Sequence, residues 1–186
     1  MLNHTGTVTI KTDRLLLRRF TIEDSEDMFN SWANDEEVCK YLTWSPHGTV
    51  ENTKELLTNW VNAYENNRAY NWVIALKETN KVIGSISVVS MNDKNKHCEI
   101  GYCLGKEYWN KGIMTEALKA IIKHMILVVG MNRVQAKHDI QNPASGRVME
   151  KSGMIYEGTL RQYVIRKDGT YGDMNVYAIL KRDIRP

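Results

Sequence analysis

Cys98-Glu99-Ile100-Gly101-Tyr102-Cys103-Leu104-Gly105-Lys106-Glu107-Tyr108-Trp109-Asn110-Lys111-Gly112-Ile113-Met114-Thr115-Glu116-Ala117-Leu118-Lys119 reads as a strand, a short loop and the opening turns of a helix. The strand is predicted over His97–Leu104. Glu99 alternates there with Cys98 and Ile100, so its side chain takes the other face. The helix is predicted over about Ile113–Val129, where apolar residues dominate. The first amides of a helix have no internal acceptor and lie at the positive end of its dipole, so a loop feeding them suits an anion. Gly112 lets the backbone come close to a ligand. Asn110, Lys111, Gly112, Ile113, Met114 and Thr115 can therefore offer amides to a phosphate or pyrophosphate, and Lys111 adds a charge. The segment has neither the Gly-x-x-x-x-Gly-Lys-Ser/Thr nucleotide loop nor the three-glycine dinucleotide fingerprint. Taken alone, it reads more readily as an ordinary strand-to-helix turn with one glycine.

On the N-terminal side, Arg14–Phe20 is predicted as a strand. Thr21-Ile22-Glu23-Asp24 has capping-box spacing, and a helix should follow through Met28, Phe29 and Trp32. A second helix is predicted over Val50–Glu65. Strands at Tyr70–Leu76, Val82–Val89 and His97–Leu104 are joined by the turns Glu78–Lys81 and Asp93–Lys96, an antiparallel meander. On the C-terminal side come a short strand, Val134–Lys137, and a helix from Pro143 to about Ser152. A hairpin of Tyr156–Ile165 and Met174–Leu180 closes the chain around Asp168-Gly169. Strands mixed with helices in this order imply an α/β (α+β) fold, with helices on the faces of a mixed, mostly antiparallel sheet.

No repeat or linker divides the chain, so a single domain over residues 1–186 is expected. A composition 42% hydrophobic and 25% charged excludes a disordered or collagen-like chain. A net charge of +3, with both signs interspersed, argues against a nucleic-acid partner. The longest apolar stretch near the middle, Met125–Val129, is too short to span a membrane, and the N-terminus has no signal-peptide pattern. Cys39, Cys98 and Cys103 are odd in number and lack metal-ligand spacing. Free thiols in the cytoplasm and no metal are expected. Met114, Met125, Met149 and Met154 suit the core, and Trp32, Trp44, Trp60 and Trp72 suit the core or an acceptor cleft.

Glu99-Ile100-Gly101-Tyr102 with Tyr108-Trp109-Asn110-Lys111-Gly112-Ile113-Met114-Thr115-Glu116-Ala117 resembles the acetyl-CoA motif of the GNAT N-acetyltransferase superfamily. Asn142-x-x-Ser145 with Lys151-x-Gly153 resembles its second motif. Their order and spacing look most like the branch of the RimJ/RimL ribosomal-protein N-terminal acetyltransferases. The likeness extends from Arg14-Leu15-Leu16-Leu17-Arg18 to beyond Asp173. It departs from the superfamily pattern at Trp109 and Met114. It departs again at Met149, where many relatives carry a tyrosine that protonates the leaving thiolate.

The resemblance implies a GNAT-type sheet with a splayed strand pair that holds acetyl-CoA, a cosubstrate needing no metal. The amides of residues 110–115 would hold its pyrophosphate, and Asn142 would belong to the same donor site. The backbone of Tyr102, Cys103 and Leu104 would pair with the pantetheine amides. An exposed amide near Cys103 or Leu104 would serve the carbonyl oxygen. Transfer to a primary amine would be direct, with Ser145 donating a hydrogen bond to the thiolate. Glu99, on the strand leading to the acetyl group, is the candidate base; a purely structural, hydrogen-bonding Glu99 is the alternative. Cys103 as an acetyl carrier would need an activating partner, and no His is near it in sequence. The α-amine of a protein N-terminus, such as that of a ribosomal protein, is the expected acceptor. A small-molecule amine (an amino acid, polyamine or antibiotic) and a non-catalytic acyl-CoA-binding module remain alternatives, and a homo-oligomer is left open.

Overall fold

Alternation and capping assign the elements, and the computed structural model, which describes residues 1–184, fixes their limits. In chain order they are β1 (Ile10–Lys11), β2 (Leu15–Arg18), α1 (Ser25–Met28), α2 (Glu36–Cys39), α3 (Val50–Ala63), β3 (Asn71–Leu76), β4 (Val82–Asn92), β5 (His97–Leu104), α4 (Ile113–Lys123), β6 (Arg133–Asp139), α5 (Pro143–Lys151), β7 (Ile155–Ile165) and β8 (Tyr171–Leu180). The strands form an eight-stranded sheet in the order β1-β2-β3-β4-β5-β6-β8-β7. The β1–β2, β2–β3, β3–β4, β6–β8 and β7–β8 pairs are antiparallel, and β5–β6 is parallel. This is the mixed, mostly antiparallel α/β fold expected from the sequence. Contacts divide the chain into two compact units. One comprises His4–Val88 and Tyr102–Ala117; the other comprises Met1–Asn3, Val89–Gly101 and the chain from Leu118 onward.

In the first unit, Phe20, Met28, Trp32, Ala33, Leu57, Tyr64, Val73 and Val82 belong to one buried apolar cluster. Trp44 and Trp60 pack against its edge, as core aromatics do. The predicted helix after Thr21 is broken up. A 3-10 turn at Ile22–Asp24 leads into α1, and a π-helical turn follows at Phe29–Ala33. The wider turn shifts the inward face by one residue, so the adjacent Trp32 and Ala33 are both buried. Asp24 Oδ2 accepts a hydrogen bond from the Thr21 amide at 2.8 Å, and the Asp24 carboxylate takes both guanidinium nitrogens of Arg18 at 2.8 Å. α3 starts at Thr49, whose hydroxyl accepts from the Asn52 amide.

In the second unit, α4 passes into a π-helical segment at His124–Val129, which buries Met125, Ile126 and Val129. α5 lies against β6, β7 and β8. Its Met149 is buried, as are Met125 and Met154. β7 is the outermost strand. Its pairing with β8 is irregular between Tyr156 and Gly158 and between Leu160 and Val164. Gln162 there has φ of 50°, and its amide donates to Asp173 Oδ1 at 2.7 Å.

Candidate active site

The strand-to-helix segment of the first unit is built as its sequence implies. Two residues of the turn before α4, Asn110 (φ 59°) and Gly112 (φ 72°), are left-handed. A side chain at Gly112 would be strained by that φ rather than by crowding, since an added Cβ would meet only Arg14 Nη2, at 3.6 Å. The turn therefore delivers the chain into α4 with only the Arg14 guanidinium near its glycine. The Glu116 amide bonds back to the Gly112 carbonyl at 3.0 Å, so helical bonding begins there. Ile113 and Met114 are buried, which directs their side chains to the core while their amides remain in the first turn. Lys111 Nζ and Lys81 Nζ lie 5.6 and 5.9 Å from the centre of the Tyr108 ring. The hydrogen bond to Tyr108 raises the pKa of Lys81 above that of an ordinary lysine.

Arg14 braces this turn. Its Nη1 donates to the Lys111 carbonyl at 2.9 Å and its Nε to Glu116 Oε2 at 2.7 Å. Glu116 Oε1 accepts from the Thr12 hydroxyl at 2.6 Å and the Arg14 amide at 2.9 Å. Burial favours the neutral acid at Glu116, but these bonds outweigh it and hold the carboxyl below the usual glutamate range.

The end of β5 is closely packed against β4. A Cβ added at Gly84 would come within 2.6 Å of the Cys103 carbonyl oxygen, so a side chain there would push the two strands apart. Cys103 Sγ lies 3.2 Å from Ser85 Oγ. Burial pushes its thiol up to about 11, with the Ser85 contact acting the other way. Such a thiol stays protonated at neutral pH and is a poor nucleophile. The tail of β5 thus offers backbone rather than a reactive sulfur. Leu104 is buried and its carbonyl accepts from Trp109 Nε1 at 2.8 Å. Tyr102 is partly exposed.

In the second unit, β5 and β6 pair through His97↔Arg133, Cys98↔Val134 and Glu99↔Gln135. No register pair follows among the described residues, although β5 continues past Gly101 and β6 runs on to Asp139. Glu99 stands at this fork. Its Oε2 accepts from Gln135 Nε2 at 2.9 Å and pairs with Lys137 Nζ at 3.0 Å. Lys137 Nζ also donates to Tyr163 Oη at 2.8 Å and lies 4.4 Å from the centre of that ring.

α5 carries the remaining expected residues. Asn142 caps it, accepting at Oδ1 from the Ser145 amide at 3.3 Å. Ser145 is half-buried in the first turn, where the amides of Ala144 and Ser145 lie at the positive end of the helix dipole, Pro143 having no N–H. At the end of β6, Asp139 is paired with Arg166 through Nε–Oδ2 at 2.7 Å and Nη2–Oδ1 at 3.0 Å. Burial works against ionisation of Asp139, yet the Arg166 bonds win and hold its carboxyl below the usual range. Among the described residues no cluster of His, Cys, Asp or Glu could hold a metal ion, and no helix is long and apolar enough to cross a membrane.

The structure gathers Asn110, Lys111, Gly112, Ile113, Met114 and Thr115 into one turn and places Glu99 and Ser145 on β5 and α5. It adds partners that the sequence did not assign: Thr12, Arg14 and Glu116 beneath the turn, Gln135 and Lys137 at Glu99, and Tyr163 on Lys137. The polar pair Gln135 and Lys137, alternating with Val134 and Ala136, was the available signal for those at Glu99.

Known proteins share the fold of this chain. The family profile described as Acetyltransferase (GNAT) domain matches residues 14–155. The chain is 33% identical to the "uncharacterized N-acetyltransferase YoaA" of Bacillus subtilis, covering 92% of this chain and 96% of that protein. It is 30% identical to the ribosomal-protein-serine acetyltransferase of Escherichia coli, over 76% of this chain and 82% of that one. A solved GNAT-family acetyltransferase from Bacillus anthracis superposes with a TM-score of 0.82 at 30% identity, covering 94% of this chain and 99% of the other. The GNAT family uses acetyl-CoA as cosubstrate and an amine as acceptor, and this chain belongs to it as a GNAT-family N-acetyltransferase.

Proposed function

We propose that this protein moves the acetyl group of acetyl-CoA directly to the α-amine of a protein N-terminus, as one acetyltransferase domain working in the cytoplasm. The observation that carries the donor assignment is the turn Asn110–Gly112, left-handed at both ends and opening onto the first amides of α4. The amides of residues 110–115 bind the pyrophosphate, with Lys111 adding charge. The backbone of Tyr102, Cys103 and Leu104 receives the pantetheine arm. Asn142 serves the donor indirectly: its Oδ1 is committed to the Ser145 amide, so it fixes the start of α5. Glu99 accepts the acceptor's proton and Ser145 donates to the departing thiolate. The half-buried, protonated Cys103 supports transfer without an acyl-enzyme step.

The choice of acceptor rests on proton cost. At neutral pH about one α-amine in seven is neutral, against about one lysine amine in 2,500. Deprotonation of lysine costs about 3.5 kcal/mol more. A single carboxylate base meets the smaller demand more readily, and the likeness to a ribosomal-protein-serine acetyltransferase points the same way. The test is acetyl-CoA turnover, with product mass, on four acceptors: a peptide with a free N-terminal serine, the same peptide blocked at its N-terminus but carrying lysine, free amino acids and polyamines, and aminoglycosides. Fastest turnover on the free N-terminus is expected. Faster turnover on a small amine would replace the protein acceptor, and binding of acetyl-CoA without turnover on any amine would leave only a binding module.

A further inference from the structure

Gln135 is the register partner of Glu99, and Lys137 follows it two residues along β6. Residues two apart on a strand share a face, so both side chains stand beside Glu99. Both their bonds converge on one carboxylate atom, Oε2. The other oxygen, Oε1, accepts no hydrogen bond from the described residues. The Glu99 and Lys137 side chains are only 16% and 14% exposed, so water competes weakly for this pair. Tyr163 holds Lys137 from the far side through its hydroxyl and its ring. Burial disfavours the ammonium, but the bonds to Tyr163 and Glu99 prevail, and the pKa of Lys137 is raised. Lys137 is therefore a fixed cation at neutral pH and does not itself take a proton.

We propose that Lys137 is a positioning residue for acetyl transfer, clamping Glu99 through Oε2 so that Oε1 is the atom that receives the acceptor's proton. This rests on the reading of Glu99 as the base. The acceptor ammonium passes one proton to Oε1 and becomes a neutral amine. Its nitrogen lone pair then forms the N–C bond as the C–S bond breaks. The second amine proton leaves with the thiolate as free CoA thiol, and Glu99 releases its proton to solvent.

The experiment measures kcat and the acetyl-CoA KM of Glu99→Gln, Lys137→Met, Lys137→Arg and the double variant Glu99→Gln/Lys137→Met, with melting curves for each. Glu99→Gln should lower kcat about 10²-fold. Lys137→Met should lower it about 10- to 100-fold at an unchanged acetyl-CoA KM, because a misplaced group loses most of its advantage. Lys137→Arg should recover most of that loss, which a packing role would not produce. In the Glu99→Gln background Lys137→Met should cost less than about twofold more, since the clamp has no base left to hold. If Lys137→Met does not fold, Lys137→Gln, which keeps a donor and removes the charge, should show the same kcat loss. Native kcat in Glu99→Gln would sink the base reading and the clamp with it. An impaired Glu99→Gln beside a Lys137→Met or Lys137→Gln with kcat within about twofold of native would overturn the clamp alone, as would independent, multiplying effects.

Discussion

Glu116→Ala tests whether the Asn110–Gly112 turn, the proposed donor seat, is held from beneath. The substitution removes the acceptor of three bonds, from the Thr12 hydroxyl, the Arg14 amide and Arg14 Nε. A hydrogen bond to a charged group contributes about 1.5–3 kcal/mol when kept from water. The Arg14 side chain is 50% exposed against 18% for Glu116, so the ion pair counts as a surface pair of about 0–1 kcal/mol. Thr12 keeps a second acceptor in the Leu15 carbonyl, which limits its loss. The Arg14 amide loses its acceptor outright. The expected destabilisation at pH 7 is about 1–2 kcal/mol, read by urea titration as a lower midpoint at unchanged slope. The acetyl-CoA KM should rise as well, because Arg14 also carries the bond to the Lys111 carbonyl. The pH dependence has a fixed sign. The folded pKa of Glu116 is depressed, so its contribution is complete above the unfolded value of about 4.3 and is lost as pH falls through the folded value. The gap between native and variant protein should therefore close in acid. A loss under about 0.5 kcal/mol at pH 7, or a gap undiminished by acid, would refute the brace.

Arg166→Met should lower the urea midpoint at neutral pH by leaving Asp139, whose side chain is 6% exposed, charged with only the Gln141 amide to hold it. Its folded pKa is also depressed, so that cost should shrink as pH falls through it, and a pH-independent loss in denaturant titrations would point to packing instead. Cys103→Ala should keep kcat within about threefold of native, since a thiol held near 11 carries no acetyl group. Iodoacetamide at pH 7.5 should alkylate the folded chain at least about 10²-fold more slowly than the urea-unfolded chain, by mass spectrometry, and fast labelling of Cys103 would reopen a covalent route.

β5 was readable to the residue because turn-forming stretches bound it on both sides and its first half, His97–Ile100, alternates. The β1 pairing, Ile10–Lys11, was not, since two residues carry no period. The Phe29–Ala33 turn keeps helical composition while its backbone widens, and composition does not report that change. The Asn110–Gly112 turn was legible because its parts are consecutive. Its brace was not: Arg14 lies 97 residues from Lys111, and only the folded chain brings them together. Glu99 was identifiable by type and alternation, but its partners come from β6, one of them held in turn by Tyr163 of β7. Parallel pairing after a long crossover fixes which β6 residues meet it, and no local spacing encodes that register.

The early end of β5–β6 pairing has a consequence for descent. Under the proposed function the donor's extended arm runs along main chain freed from a neighbouring strand. Main-chain amides and carbonyls belong to every residue, so such a seat reads almost nothing of side-chain identity. Substitutions can accumulate along these strands and leave the seat intact, provided the fork itself persists. Acceptor recognition depends on side chains and has no such immunity. A lineage built this way can exchange one amine for another over generations while inheriting the same acyl donor, and relatives near 30% identity would keep their cosubstrate long after their targets have parted.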